Sequence, residues 1–165
     1  MKPMRCLQHL LLPDWWLRRV FSAADQAAIG ATIAAGEQTH RGELRFVAEG
    51  SLPLSALWRD LSARERAVEL FAALRIWDTA ENSGILIYVQ LVEHRVEILA
   101  DRGIAARVPQ SEWDAICRQM EACFGSGQWR EGALQAVARV GELLTAQFPA
   151  GTTNPNELPD QPLLL

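Results

Sequence analysis

The sequence has little of what nucleic-acid binding requires. A single lysine, Lys2, stands among 16 basic residues, the arginines are scattered along the chain, and the net charge is −4. Because phosphate binding depends on clustered lysine and arginine side chains, we expect no nucleic-acid partner.

Cysteine is also scarce, and its spacing argues against two common kinds of chemistry. Cys6, Cys117 and Cys123 form no Cys-x-x-Cys pair, so zinc ribbons and thioredoxin-like redox sites have no support. Cys117 and Cys123 fall in one predicted helix, about 600° of rotation apart, and therefore on different faces. We interpret the cysteines as free thiols in a reducing compartment, the cytoplasm.

Long apolar runs are absent as well. Three leucines at 10–12 are stopped by Pro13, and no signal-peptide core follows. No stretch approaches the ~20 apolar residues of a membrane helix, so we expect a soluble protein that is not an integral membrane protein. Residues 15–19, Trp-Trp-Leu-Arg-Arg, leave two interpretations open. The segment could lie at a membrane surface, either as a peripheral protein or within a membrane-associated complex. Alternatively, it packs on the domain.

What is present is the composition of one α/β domain, with 165 residues of which 49% are apolar. Serines followed three positions later by an acidic residue, at Ser22, Ser62 and Ser111, predict three capped helix starts. Apolar patterns predict three strands, of which the second is apolar on both faces and therefore central. The predicted strands are 43–49, 84–89 and 96–100, and the predicted helices are 22–39, 54–61, 62–75, 111–125 and 129–147.

The order of these elements, α-β-α-β-β-α-α, indicates a small mixed sheet. A helical link makes the first two strands parallel, and a hairpin makes the second and third antiparallel. We assign residues 1–19 to an N-terminal segment, 20–148 to the domain and 149–165 to an extended C-terminal tail. In this assignment nothing before Val20 is needed for the core.

This topology collects polar residues at one end of the sheet, where the first two strands begin and the third ends. His40 and Glu43 lie at the first strand, residues 78–83 precede the second, and Asp101 with Arg102 follow the third. His40 is a candidate base or metal ligand, although a helix C-terminus also favours histidine through its dipole.

Two interpretations of the acidic residues at this end stay open. Hard oxygen ligands of the kind that Ca²⁺ or Mg²⁺ prefers are offered by Asp78, Glu81, Asn82 and Asp101. Alternatively these are ordinary turn residues, with Asp101 pairing with Arg102.

Four motifs follow each other in a familiar order: HRGELRF at 40–46, NSGILIY at 82–88, VEILADRG at 96–103 and WREG at 129–132. Together they resemble the TPM domain family, named after thylakoid-lumen, photosystem-repair and membrane proteins, and in particular a soluble, proteobacterial-style branch. The likeness spans about residues 21–148. It implies a three-layer α/β/α sandwich, binding of a divalent metal, often calcium, and in some members acid phosphatase activity.

Two functions compete on this basis. The first is a non-catalytic binding or accessory module that uses the polar end to hold a divalent cation or a partner, and the lack of a recognisable nucleophile–base pair favours it. The alternative is a metal-dependent acid phosphatase with a cation held by Asp78, Glu81 and Asp101. In that case Arg102 would neutralise the phosphate and His40 would act as acid or base.

Overall fold

The structure, a computed structural model, describes residues 3–151 and 155–165, and within them eight helices and four strands. In chain order these are α1 (Pro3–Leu11), α2 (Asp14–Val20), α3 (Ala23–Glu37), β1 (Glu43–Glu49), α4 (Leu54–Trp58), α5 (Ala63–Ala73), β2 (Gly84–Gln90), β3 (Arg95–Ala100), α6 (Arg102–Ala105), α7 (Gln110–Gly125), α8 (Trp129–Gln147) and β4 (Leu163–Leu164).

The sheet is mixed, with the strand order β3-β2-β1-β4. Strand β1 pairs in parallel with β2, and β2 pairs antiparallel with β3. Every residue of β2 is buried, which confirms its predicted central place. The fourth strand was not predicted: Leu163 and Leu164 pair in parallel with Val47 and Ala48 of β1.

Helices cover both faces of the sheet, because alternate side chains of each central strand enter different cores. Ile85, Ile87 and Val89 of β2 belong to a large cluster formed with α3, α7 and α8. Leu86 and Tyr88, from the other face, belong to a smaller cluster with α5. The chain therefore folds as the predicted α/β/α sandwich.

Two of the three predicted helix caps are confirmed. Ser22 and Ser62 each accept a hydrogen bond from the backbone N–H three residues later and form full capping boxes. The third prediction is wrong, since α7 begins at Gln110 and has Pro109 at its N-cap. Ser111 then lies inside the first turn, where its hydroxyl cannot cap the helix.

The two terminal segments pack on this sandwich. Leu17 of α2 is 5% exposed and belongs to the large cluster, so one residue before Val20 does contact the core, while the expectation that this segment is not needed for folding stays a prediction. The C-terminal residues 157–165 run beside β1 and end in β4. The domain boundaries themselves, 1–19, 20–148 and 149–165, stay a prediction. Within the described ranges, no helix is long and apolar enough to span a bilayer.

Candidate functional site

Strand register brings the three predicted polar segments to one end of the sheet. Glu43 at the start of β1 is level with Gly84 at the start of β2, and Ile85 is level with Ala100 at the end of β3. The loop before β2 and the loop after β3 therefore meet.

Backbone hydrogen bonds join these loops, and glycines at two positions allow the close packing around them. The N–H of Asp101 donates to the carbonyl of Gly84 at 2.9 Å, and the N–H of Gly103 donates to that of Asn82 at 2.9 Å. A methyl group on Gly103 would come within 2.6 Å of the Asn82 carbonyl oxygen, and one on Gly84 would collide with the carbonyl of Ile76. The close approach fixes Asn82 and Asp101 side by side.

The side chains at this junction line an open pocket of about 360 Å³, formed by Trp77, Asn82, Asp101 and Arg102. Arg102 Nε donates to Asn82 Oδ1 at 3.1 Å. Asp101 caps the short helix α6, because its Oδ1 accepts the N–H of Arg102 at 2.7 Å. Its second oxygen, Oδ2, is buried and has no hydrogen-bond partner among the described residues.

Two predicted metal ligands are engaged elsewhere. Asp78 Oδ2 lies 2.6 Å from Nη2 of Arg75, and Glu81 Oε2 lies 3.2 Å from Nε of Arg41. Both carboxylates are exposed. They therefore flank the pocket, whereas Asn82, Asp101 and Arg102 line it.

His40 is buried, with 2% of its surface exposed. Its Nδ1 lies 3.0 Å from the carbonyl of Gly42 and donates to it in the tautomer that this contact favours. Its Nε2 faces α3 and α8, since a methyl group on Gly36 would lie 3.2 Å from it and one on Gly141 3.8 Å. Burial lowers the pKa of His40, which favours the neutral imidazole.

Glu43 is also buried, and it ties the C-terminal segment to the sheet. Its carboxylate accepts the N–H groups of Glu157 at 3.2 Å and Leu158 at 3.0 Å. Burial raises the pKa of Glu43 to about 7, although these two hydrogen bonds act in the opposite direction. Its side chain thus serves the attachment of residues 157–165.

The donor set fits a hard cation poorly. Ca²⁺ takes six to eight oxygen ligands and Mg²⁺ demands near-octahedral geometry, whereas the pocket offers one carboxylate and places the Arg102 guanidinium beside it. Across residues 3–151 and 155–165, no three His, Cys, Asp or Glu side chains group closely enough to hold a metal ion. That Asp78, Glu81, Asn82 and Asp101 bind Ca²⁺ or Mg²⁺ stays a prediction.

Trp77 is the pocket residue that sequence reasoning missed. It is 49% exposed and stands at the head of the turn-rich segment before β2. A large aromatic residue just outside a predicted strand, next to polar turn residues, was the available signal.

The protein is thus an α/β/α sandwich with a small mixed sheet and a polar pocket where β2 begins and β3 ends. The family model of the TPM domain matches residues 17–143, and this chain belongs to that family. The resemblance in the four sequence motifs is therefore confirmed.

Two solved structures support the same fold. The BA42 protein from the psychrophilic bacterium Bizionia argentinensis is 25% identical, with a TM-score of 0.77 over 88% of this chain and 95% of BA42. The N-terminal domain of a protein from P. gingivalis is 19% identical, with a TM-score of 0.64 over 83% of this chain and 90% of that domain. No curated protein matches the chain.

Proposed function

We propose that this chain is a non-catalytic binding module that holds a partner protein at the pocket of Trp77, Asn82, Asp101 and Arg102. The observation that carries the proposal is Oδ2 of Asp101, which is buried and lacks a hydrogen-bond donor among the described residues. Buried polar atoms in folded proteins are nearly always paired. A ligand that brings a donor to this oxygen gains a charge-assisted hydrogen bond that the free protein does not make.

The neighbouring side chains suit a protein partner. Tryptophan and arginine are the residue types enriched at the energetic centres of interfaces, and here Trp77 is half exposed and Arg102 is exposed. Arg102 is held on Asn82, which leaves Oδ2 of Asp101 for the partner. On docking, the side chains over Oδ2 would move aside to admit an ammonium or hydroxyl group of the partner, while an apolar group covers the Trp77 ring.

The test compares immobilised wild-type protein with Asp101→Asn and Trp77→Ala in an extract of the source organism. Asparagine still caps α6 but removes the charge, so a partner held at this pocket should be recovered about tenfold less by either variant. Asp78→Asn is the matched control, because it removes a carboxylate that is paired with Arg75 beside the pocket. A partner recovered equally by all four proteins would contradict the proposal.

Cation binding and phosphatase activity are tested with the same proteins. In calorimetric titration, Ca²⁺ binding that Asp101→Asn abolishes and Asp78→Asn retains would make the ligand a cation and not a protein. Hydrolysis of p-nitrophenyl phosphate that requires Ca²⁺ or Mg²⁺ and is lost with Asp101→Asn would establish the phosphatase instead.

A further inference from the structure

Helix α1 turns its apolar side to solvent. Met4, Leu7 and Leu11 are spaced i, i+3 and i+7, which places them on one face of the helix. They are 69%, 50% and 71% exposed, and the adjacent Leu10 is 66% exposed. A surface helix normally buries such a stripe, so this face is built to be covered by something outside the described chain.

The opposite side of α1 is polar, and it is the side that holds the helix on the domain. His9 is buried: its Nδ1 accepts the N–H of Leu52 at 3.0 Å, and its Nε2 lies 3.2 Å from Oε1 of Glu93. Arg5 pairs with Glu93 and, at 3.0 Å, with Asp60. Because these contacts fix the rotation of α1 about its axis, the leucine face is held outward.

Helix α2 follows α1 in the chain and carries a different chemistry on its exposed side. Trp15, Arg18 and Arg19 are spaced i, i+3 and i+4 and are exposed, while Leu17 on the other side is buried. Among the described residues, neither arginine takes part in an ion pair. One exposed tryptophan and two exposed arginines thus follow the leucine face in the chain.

The N-terminal segment also differs in charge from the rest of the chain. Residues 1–20 carry four of the 16 basic residues and only one of the 20 acidic residues. The protein is acidic overall, with a net charge of −4, whereas the segment that carries the exposed leucines has four basic residues against one acidic residue and is therefore net positive.

We propose that α1 and α2 form a docking face for an anionic phospholipid bilayer. The leucine side chains would enter the boundary of the acyl chains, the Trp15 ring would lie at the level of the headgroups, and the arginines would meet lipid phosphates. The docking face consists of Met4, Leu7, Leu11, Trp15, Arg18 and Arg19. A second copy of the chain that docked through the same face would also cover the leucines. It would, however, bring its own basic N-terminal segment opposite Arg18 and Arg19, and this segment offers them little negative charge.

The experiment is vesicle flotation with the full-length protein. Wild type should float with vesicles of phosphatidylcholine and phosphatidylglycerol, and less with phosphatidylcholine alone or at high salt. Leu7→Glu/Leu11→Glu should lower the partition coefficient at least about tenfold, because each buried leucine contributes that much or more. Arg18→Gln/Arg19→Gln should lower it about tenfold on the anionic vesicles only.

Val68→Glu is the matched control, since Val68 on α5 is 53% exposed and lies outside the docking face. It should float like wild type, and all variants should keep the wild-type thermal midpoint because the changed side chains are exposed. Wild type that does not float, or a leucine variant that floats as well as Val68→Glu, would overturn the proposal. A lipid-free dimer in analytical ultracentrifugation that Leu7→Glu/Leu11→Glu abolishes, without vesicle binding, would assign the face to a second copy.

Discussion

Two buried glutamates beside the C-terminal segment bind their protons more tightly than ordinary glutamates do. Burial, together with the carboxylates of Glu43 and Asp160, raises the pKa of Glu37 from 4.5 to about 8, and burial raises the pKa of Glu43 to about 7. In the unfolded chain both groups ionise near their ordinary pKa. The folded state therefore binds more protons between these values, and the free energy of unfolding should fall as pH rises from about 4.5 through 8.

Glu37→Gln tests this linkage, because glutamine is a neutral side chain of the same shape. Between about pH 5 and pH 7.5, the loss of unfolding free energy with pH should become shallower by up to about 1.4 kcal/mol per pH unit, which corresponds to one proton. Urea denaturation across this range measures the slope. The control is Glu142→Gln on the exposed side of α8. An unchanged slope in Glu37→Gln would show that Glu37 ionises normally in the folded protein.

At the scale of single elements, the contact between α6 and the loop before β2 depends on a missing side chain. A methyl group on Gly103 would collide with the carbonyl groups of Glu81 and Asn82, so Gly103→Ala should destabilise the protein by about 1–3 kcal/mol. Gly125→Ala is the matched control: Gly125 ends α7, and no described atom lies within 4 Å of its added methyl group. It should be neutral or stabilise by about 0.5–1 kcal/mol. Chemical denaturation of both variants measures the change in the free energy of unfolding. Equal changes would mean that the loop junction moves to make room for the added methyl group on residue 103.

Elements whose apolar residues are the ones that face the core could be predicted from the sequence. Strand β2 is apolar on both faces and is buried throughout. Along α7 the apolar residues at helical spacing are the buried ones: Trp113, Ile116, Met120 and Phe124. In these elements periodicity and burial have the same cause, which is contact with one hydrophobic core.

The sequence analysis did not predict the elements in which apolar spacing and burial do not coincide. Helix α1 places its leucines outward and His9 inward, the reverse of the pattern that identifies a surface helix. Strand β4 has two residues and forms only because β1 offers it an edge. At the site, topology predicted that Asn82, Asp101 and Arg102 meet, but it could not predict that Asp78 pairs with Arg75. That choice depends on side-chain conformations outside the reach of a sequence pattern.

At the scale of the whole molecule, other parts of the chain contact the sheet at both of its edges. On the β3 side, Glu121 Oε1 accepts the N–H of Val96 at 3.1 Å, and Arg64 Nη1 donates to the carbonyl of Ile98 at 2.8 Å. On the β1 side, the C-terminal residues 157–165 provide the cover, including a 2.6 Å hydrogen bond from Arg45 Nη1 to the Gln161 carbonyl. Uncovered edge strands invite pairing with other chains, so these contacts keep the sheet from extending.

Deletion of residues 155–165 should therefore change the state of association as well as the stability. The deleted segment contains β4, which pairs with β1, and Leu158, which is 8% exposed in the smaller cluster. Without it the edge of β1 is open, and we expect self-association in size-exclusion chromatography together with a lower thermal midpoint. Leu158→Ala is the control: it should cost about 2–4 kcal/mol but keep the wild-type elution volume, because the edge stays covered.

A synthetic peptide of residues 155–165 should restore the wild-type elution volume of the deleted protein. A truncated chain with the wild-type elution volume and midpoint would show that the segment does not protect the edge.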